Sequence, residues 1–128
     1  MLAITLVFIG GAFGSLWRFW LSGLVAQRFG ETFPFGTLAV NVTASTLIGL
    51  FAGALLHLGN REAATALQQF LSVGICGGLS TFSSFSLQTW NLLGERRWGA
   101  AIVNIVVSTT ACFACVAVGW QITVAAGF

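Results

Sequence analysis

Charged residues are scarce in this sequence. Only 6% of the 128 residues are Asp, Glu, Lys or Arg, whereas a soluble domain averages about 25%. Lysine and aspartate are absent, so all five positive charges are Arg and all three negative charges are Glu. Because 57% of the residues are hydrophobic, the chain has too few polar groups to cover a water-exposed surface. The composition therefore predicts an integral membrane protein.

Residues that enzymes depend on are also few. The sequence has one histidine, His57, and no tyrosine, and its three cysteines (76, 112 and 115) do not pair with histidine as a metal site would require. No nucleophile–base pair, metal-ligand cluster or phosphate-binding loop occurs. We therefore expect neither an enzymatic activity nor a nucleic-acid partner. The cysteines are expected to be small buried hydrophobic residues.

The eight charges fall at four places and leave long uncharged stretches between them. A membrane-spanning helix needs about 20 apolar residues, and three of these stretches each hold one span. The N-terminal stretch supplies another, which Arg18 interrupts. The predicted spans are residues 3–29, 35–58, 63–94 and 98–123. We therefore predict one all-α domain over residues 1–128, with four transmembrane helices joined by short loops.

The charges indicate only a weak preference for one orientation in the membrane. Four spans place both termini on the side of Arg61, while Arg28, Arg96 and Arg97 lie on the other side. The positive-inside rule then places the termini outside, but on a difference of only two arginines. Insertion in both orientations stays open, and two oppositely inserted copies would meet antiparallel.

Small residues recur at a spacing of four in the first two spans, as Gly10 and Gly14 and as Ser45, Gly49 and Gly53. Such residues share one face of a helix and let helix backbones approach closely in lipid. The pattern leaves two alternatives, packing within one subunit or a dimer interface. Because four helices do not easily enclose a polar pathway, we expect an oligomer.

Polar residues recur at the same spacing within two of the apolar spans. They are Thr37, Asn41 and Ser45 in the second span, and Asn104, Ser108 and Cys112 in the fourth. An amide in hydrocarbon needs hydrogen-bond partners. These tracks therefore indicate either hydrogen bonds between helices or a pathway whose amides donate to an anion. The presence of two tracks in separate spans favours a pathway.

The centre of the third span is poor helix-forming sequence. Gly77 and Gly78 precede five hydroxyl residues within positions 80–86, and both features disfavour a helix. Residues 63–94 would form a helix of about 48 Å, longer than the hydrocarbon core. A break near residues 77–81 removes both difficulties, and its free carbonyls would be ligands for a cation such as Na⁺. The alternative is a kinked, continuous helix rich in Ser and Thr.

Phe82 and Phe85 follow this break at a spacing of three and share a helical face. They are either core residues or rings whose electropositive edges stabilise a small anion. Arg18 lies about 22 Å along the first helix. Its side chain either reaches the interface beside Trp17, Phe19 and Trp20 or forms an electropositive vestibule. No carboxylate lies deep in any span, so a proton relay is not expected.

Three motifs in this order resemble the bacterial fluoride channel family (Fluc, also called CrcB). They are Gly10-Gly11-x-x-Gly14-x-x-x-Arg18, Gly36-Thr37-Leu38-x-Val40-Asn41 and Gly77-Gly78-Leu79-Ser80-Thr81-Phe82-Ser83-Ser84-Phe85. The resemblance covers essentially the whole chain. It implies an antiparallel, dual-topology homodimer in the bacterial inner membrane that exports fluoride passively through two pores. It also implies a structural Na⁺ at the dimer centre.

The resemblance also assigns roles to individual residues. The Na⁺ ligands would be the backbone carbonyls of Gly77 and Ser80. The fluoride pore would involve the residues Arg18, Thr37, Asn41, Phe82, Ser83, Ser84, Phe85 and Ser108. The sequence has Ser80 and Ser84 where relatives commonly have Thr, which keeps the hydroxyls, and it has no tyrosine for the fourth span. Asn104 is our candidate replacement for that tyrosine.

Two other functional classes fit four short spans. A small multidrug-resistance-type transporter also forms antiparallel dimers, but it needs a membrane-embedded carboxylate in the first span, and the nearest here is Glu31 in a loop. A non-transporting assembly subunit would use the glycine faces but has no need of a broken, hydroxyl-rich third span. The sequence therefore favours the fluoride channel.

Overall fold

The computed structural model describes residues 1–127, in which every regular element is a helix and no β-strand occurs. The helices are α1 (Leu2–Phe29), α2 (Phe35–Leu56), α3 (Arg61–Gln68), a π-helical segment (Gln69–Cys76), α4 (Gly77–Leu79), α5 (Phe82–Gly94) and α6 (Trp98–Ala125). Within this described part, four helical stretches are long and apolar enough to cross a membrane. They are α1, α2, the third span Arg61–Gly94 and α6. The predicted four-span, all-α architecture is confirmed.

The predicted break in the third span is confirmed and is shorter than expected. Gly77 and Gly78 remain helical, and the chain becomes extended only at Ser80 and Thr81. Ser80 has φ −73° and ψ 154°, and Thr81 has φ −147° and ψ 115°. The Thr81 hydroxyl then accepts a hydrogen bond from the Ser84 amide at 3.2 Å, so this residue is the N-cap of α5.

The glycine face of α1 packs against the third span of the same chain. A Cβ atom on Gly10 would overlap the Phe70 carbonyl, and one on Gly14 would overlap the Ile75 carbonyl. Both glycines are buried. The sequence left open whether these glycines pack within a subunit or form a dimer interface, and in this chain they pack within the subunit. Their role is close backbone approach between α1 and the π-helical segment.

The glycine face of α2 meets α6 in the same way. A Cβ atom on Gly49 would overlap the Val116 carbonyl, and one on Gly119 would lie 2.5 Å from the Thr46 carbonyl oxygen. Glycines on both helices therefore let these two backbones touch. At the centre of the chain, four fully buried residues form the apolar core: Val40, Ala44, Cys76 and Leu79.

The outer surface of the bundle is apolar. Large side chains that are more than half exposed occur on α1, α5 and α6, for example Phe8, Trp90 and Phe113. A soluble monomer rarely exposes so much contiguous apolar surface, whereas a bilayer or a second subunit covers it. The structure therefore matches a multi-pass membrane protein.

Candidate functional site

The break in the third span leaves backbone groups that α-helical hydrogen bonds no longer satisfy. At a helix end, the last carbonyls lack partners four residues ahead, and in lipid each must find another. Here three successive carbonyls, those of residues 78, 79 and 80, accept hydrogen bonds from one side chain, Arg18. Arg18 Nε donates to Leu79 O at 3.0 Å. Arg18 Nη2 donates to Ser80 O at 2.7 Å and also to Gly78 O.

The structure adds a feature that neither of the alternatives drawn from the sequence included. The guanidinium is engaged by the break carbonyls. Its charge also lies at the C-terminal end of α4, where the helix dipole is negative. Arg18 still lines a polar cavity, described below, so its field reaches the solvent-accessible space beside the break.

A second side chain, Asn41 of α2, pairs with the next residue of the break. The Thr81 amide donates to Asn41 Oδ1 at 2.7 Å, and Asn41 Nδ2 donates to the Thr81 carbonyl at 3.1 Å. These two hydrogen bonds replace the helical backbone hydrogen bonds that Thr81 lacks in its extended conformation. They fulfil the interhelical role inferred for Asn41, and because an amide nitrogen carries two hydrogens, one remains for another acceptor.

A cavity of about 550 Å³ lies on one side of this pair. Its residues come from α1, the loop after α1, α2, the break, α5 and the loop after α5. They include Arg18, Thr37, Thr81, Ser84 and Gln88. The exposed side chains of Glu31 and Arg97 also line it. The Gln88 Oε1 atom is buried and has no hydrogen-bond partner within residues 1–127. The cavity is therefore a polar vestibule that carries charges of both signs.

A groove of about 370 Å³ lies on the other side of the pair. Asn41 and Thr81 both border the groove. Thr81 also borders the vestibule. None of residues 1–127 contributes a carboxylate or a basic side chain to the groove. Its lining combines one amide, hydroxyls, a thiol and phenyl rings, from Asn41, Ser45, Ser80, Thr81, Phe82, Phe85, Ser108, Thr109, Cys112, Phe113 and Val116.

The two predicted pore phenylalanines stand side by side in the groove. Their ring centroids are 5.7 Å apart and the rings are tilted by 44°. Phe82 is 79% exposed in the single chain, and Phe85 is half-buried. Phe82 is thus not a core residue of this chain, because a core ring would be covered by its neighbours. An exposed ring beside hydroxyls leaves its electropositive edge available to a ligand or to a second subunit.

The remaining predicted site residues fall into three places. Thr37 and Ser84 line the vestibule, whereas Ser108 lines the groove. Ser83 is exposed and lines neither cavity, and its hydroxyl lies 3.3 Å from that of Thr81. The polar track of α2 therefore runs from the vestibule at Thr37, past the break at Asn41, into the groove at Ser45.

The two predicted carbonyl ligands of Na⁺ differ in their hydrogen bonding. The Gly77 carbonyl accepts no hydrogen bond from any residue between 1 and 127, and Gly77 is exposed. A Cβ atom added to it would meet nothing within 4 Å. The Ser80 carbonyl already accepts from Arg18 at 2.7 Å, but a carbonyl oxygen has two acceptor positions. Both carbonyls therefore have capacity for a cation.

A buried chain of hydrogen bonds joins α5 to α6, and the sequence pattern did not predict it. The Ser108 hydroxyl donates to Asn104 Oδ1 at 3.2 Å, and Asn104 Nδ2 donates to the Thr89 hydroxyl at 2.9 Å. The Thr89 hydroxyl in turn donates to the Phe85 carbonyl at 2.8 Å. The spacing of four links Asn104 with Ser108 in the sequence, but no periodicity links either residue with Thr89 on another helix.

Comparison with known proteins gives the same family across the length of the chain. Residues 5–120 match the family model described as "CrcB-like protein, Camphor Resistance (CrcB)". A protein of Opitutus terrae named fluoride-specific ion channel FluC is 50% identical over 111 residues, which are 87% of this chain and 84% of the relative.

Two further relatives carry related names. Fluoride-specific ion channel FluC 4 of Brucella abortus is 44% identical over 118 residues, covering 92% of this chain and 89% of the relative. Fluoride-specific ion channel FluC of Rhodospirillum rubrum is 48% identical over 105 residues, covering 80% of each chain. Because ion channels are not enzymes, the expectation of no enzymatic activity is confirmed. The chain belongs to the CrcB-like family, which includes the FluC fluoride-specific ion channels.

Proposed function

We propose that this protein is a passive fluoride channel of the bacterial inner membrane. The observation that carries the proposal is the groove, a mostly apolar mid-span lining of phenyl rings with one amide and several hydroxyls, to which no carboxylate or basic side chain of residues 1–127 contributes. Amide, hydroxyl and ring-edge donors can replace the water around a small anion without the strong binding that a fixed positive charge would impose. Conduction needs binding that is favourable yet weak enough for release, and this lining has that character.

The direction of transport follows from the chemistry of hydrogen fluoride. Neutral HF crosses a bilayer far more readily than an anion does, and it dissociates in the less acidic cytoplasm. The fluoride anion is then trapped inside the cell. A passive channel lets it leave down its electrochemical gradient, so the biological role proposed here is protection from fluoride.

The functional unit is proposed to be an antiparallel, dual-topology homodimer. Support comes from the open side of the groove, where Phe82 is 79% exposed in the single chain. The amide and hydroxyls of the groove need partners other than lipid, and a second copy would close the groove over them. The weak bias in arginine distribution leaves both orientations accessible. Two inverted copies would contain two such grooves and hence two pores.

A structural Na⁺ at the dimer centre is part of the proposal. The Gly77 and Ser80 carbonyls of both subunits would hold it, and oxygen ligands suit a hard cation. When bound, the ion would supply positive charge that offsets the negative ends of the α4 dipoles. Arg18 also donates to the Leu79 and Ser80 carbonyls, and Asn41 donates to the Thr81 carbonyl, so the ion would share the Ser80 carbonyl with Arg18.

The transporter alternative is disfavoured by the position of Glu31. The first span, α1, contains no acidic residue, and Glu31 follows it on the exposed edge of the vestibule. Proton-coupled exchange needs a carboxylate at the substrate site within the membrane. A non-transporting assembly subunit would have no use for a groove that places an amide and hydroxyls at the centre of its spans.

The deciding experiment is anion efflux from liposomes that contain the purified full-length protein. With valinomycin and a potassium gradient, a fluoride electrode should record rapid, electrogenic fluoride release, and a chloride electrode should record little. Chloride release as fast as fluoride release would overturn the proposal. Fluoride release that requires a proton gradient would also overturn it. Fluoride flux that follows bulk Na⁺ steeply and reversibly would instead exclude a structural Na⁺.

A further inference from the structure

Asn104 lies directly behind the groove and does not line it. Its side chain is 2% exposed, and it separates two buried hydroxyls, those of Ser108 and Thr89. Of these three residues, only Ser108 reaches the groove. The hydrogen bond from Ser108 therefore links Asn104 directly to a hydroxyl that lines the groove.

The hydrogen-bond directions in this chain have a consequence for an anion. Asn104 Oδ1 is an acceptor only, so at a distance of 3.2 Å the Ser108 hydroxyl must donate its hydrogen to it. The Ser108 oxygen then presents lone pairs to the groove, and lone pairs repel fluoride. In this arrangement, a residue predicted to serve the fluoride pore has no hydrogen available for fluoride.

An amide group that turns by half a revolution about its last bond exchanges its donor and acceptor without changing shape. The same two neighbours can satisfy the turned amide, because Thr89 and Ser108 are both hydroxyls, which donate and accept. Nδ2 would then donate to the Ser108 oxygen, and the Thr89 hydroxyl would donate to Oδ1 in place of the Phe85 carbonyl. The Ser108 hydrogen is released and can point into the groove.

We propose that Asn104 is a positioning residue that turns its amide when an anion arrives and thereby makes Ser108 a hydrogen-bond donor to it. This inference rests on the proposed fluoride conduction. The turn costs little, because only the Thr89–Phe85 hydrogen bond at 2.8 Å is given up while the anion gains a donor. Hydrogen bonds to charged groups are the stronger kind. An apolar ligand or an empty groove offers no such compensation, so the observed orientation persists without an anion.

A pair of substitutions of similar shape separates this role from a structural one. At alkaline pH, where the carboxyl is ionised, Asn104→Asp offers only acceptors to both hydroxyls and so holds the Ser108 hydrogen. Asn104→Leu offers no acceptor and leaves that hydrogen free. We expect fluoride efflux from liposomes to fall about tenfold or more in Asn104→Asp, as expected when a hydrogen bond to a charged group is lost. Efflux in Asn104→Leu should exceed that in Asn104→Asp by about tenfold.

The same measurement in double variants excludes a simple effect of the added charge. Ser108→Ala alone should lower fluoride efflux about tenfold. Added to Asn104→Leu it should cause the same loss, whereas added to Asn104→Asp it should cause no further loss. Equal losses from Ser108→Ala in both backgrounds would overturn the proposal, as would unchanged efflux in Ser108→Ala alone.

A folding defect is recognised by size-exclusion chromatography of each variant before reconstitution. If the bulkier Leu prevents assembly, Asn104→Ala takes its place, because it also removes both polar atoms. Equal loss of efflux in the assembled Ala and Asp variants would show that Asn104 only holds α5 to α6, and would overturn the proposal. If the unmodified protein releases no fluoride, the proposed function itself fails, which is a result distinct from all of these.

Discussion

The Asn41 side chain and the Thr81 backbone form a closed, two-way hydrogen-bonded pair across two helices. Thr81 donates to Oδ1 at 2.7 Å and accepts from Nδ2 at 3.1 Å. The pair lies where the vestibule meets the groove. Asn41 therefore supplies the two backbone hydrogen bonds that a further helical turn would have given Thr81. It thereby fixes the position of Thr81, which borders both cavities.

Asn41→Leu is expected to destabilise the protein strongly. The substitution leaves both the amide and the carbonyl of Thr81 without partners, and each buried, unpaired polar group costs about 1–3 kcal/mol. The free energy of unfolding in mixed detergent micelles should fall by about 2–6 kcal/mol. The control is Thr43→Val, because the Thr43 hydroxyl donates only to the Ala39 carbonyl of its own helix. A loss no larger than that of the control would contradict the assigned role.

Arg18→Gln is expected to loosen the break and lower fluoride flux. A single side chain now satisfies three carbonyls, and each hydrogen bond to a charged group contributes about 1.5–3 kcal/mol. Arg18→Lys should rescue only part of the stability, because an ammonium lacks the planar fork that reaches several acceptors. Thermal denaturation followed by size-exclusion chromatography measures the effect. Arg28→Gln, an exposed change near the end of α1, should have little effect, and an equally stable Arg18→Gln protein would exclude the bracing role.

Phe82→Ile and Phe85→Ile should each slow fluoride flux several-fold while the oligomer stays intact. An aliphatic side chain lacks the electropositive ring edge, and aromatic contacts of this kind contribute about 0.5–1.5 kcal/mol. Phe82 is so exposed in the single chain that its loss removes little packing within the subunit. Liposome efflux is the measurement, with Phe8→Ile as the control, since Phe8 is exposed and lines neither cavity. Unchanged flux in both variants would reduce the two rings to packing residues.

Gly14→Ala and Gly23→Ala form a matched pair on α1. A Cβ atom on Gly14 would overlap the Ile75 carbonyl and lie 2.9 Å from the Leu79 amide nitrogen, whereas one on Gly23 would meet nothing within 4 Å. Overpacking typically costs about 1–3 kcal/mol, so Gly14→Ala should lower the free energy of unfolding by at least that amount. Gly23→Ala should be neutral or stabilising, because Ala favours a helix by up to about 1 kcal/mol over Gly. Denaturant unfolding in micelles compares them, and equal stability of the two variants would refute the close contact.

Much of the architecture was predictable because it depends on local chemistry. The sparse charges mark the loops, since a charged group is costly in hydrocarbon, and the uncharged stretches are therefore the spans. The break near residues 77–81 was also predictable, because glycines followed by hydroxyl residues disfavour a helix relative to other backbone conformations. The family resemblance followed from motifs that occupy fixed positions in the chain, and the comparisons confirm it.

The contacts of Arg18 and Asn104 were not predictable, because they join residues on different helices. Periodicity places a side chain on a face of its own helix, but it does not say which helix that face meets or how the two are aligned. The sequence by itself therefore determined four apolar spans, a weak point in the third and the residue types of the polar tracks. Only the tertiary structure decided that the glycines pack within the subunit, that Arg18 and Asn41 satisfy the break, and that Asn104 holds the hydrogen of Ser108, because these depend on close approach between distant segments.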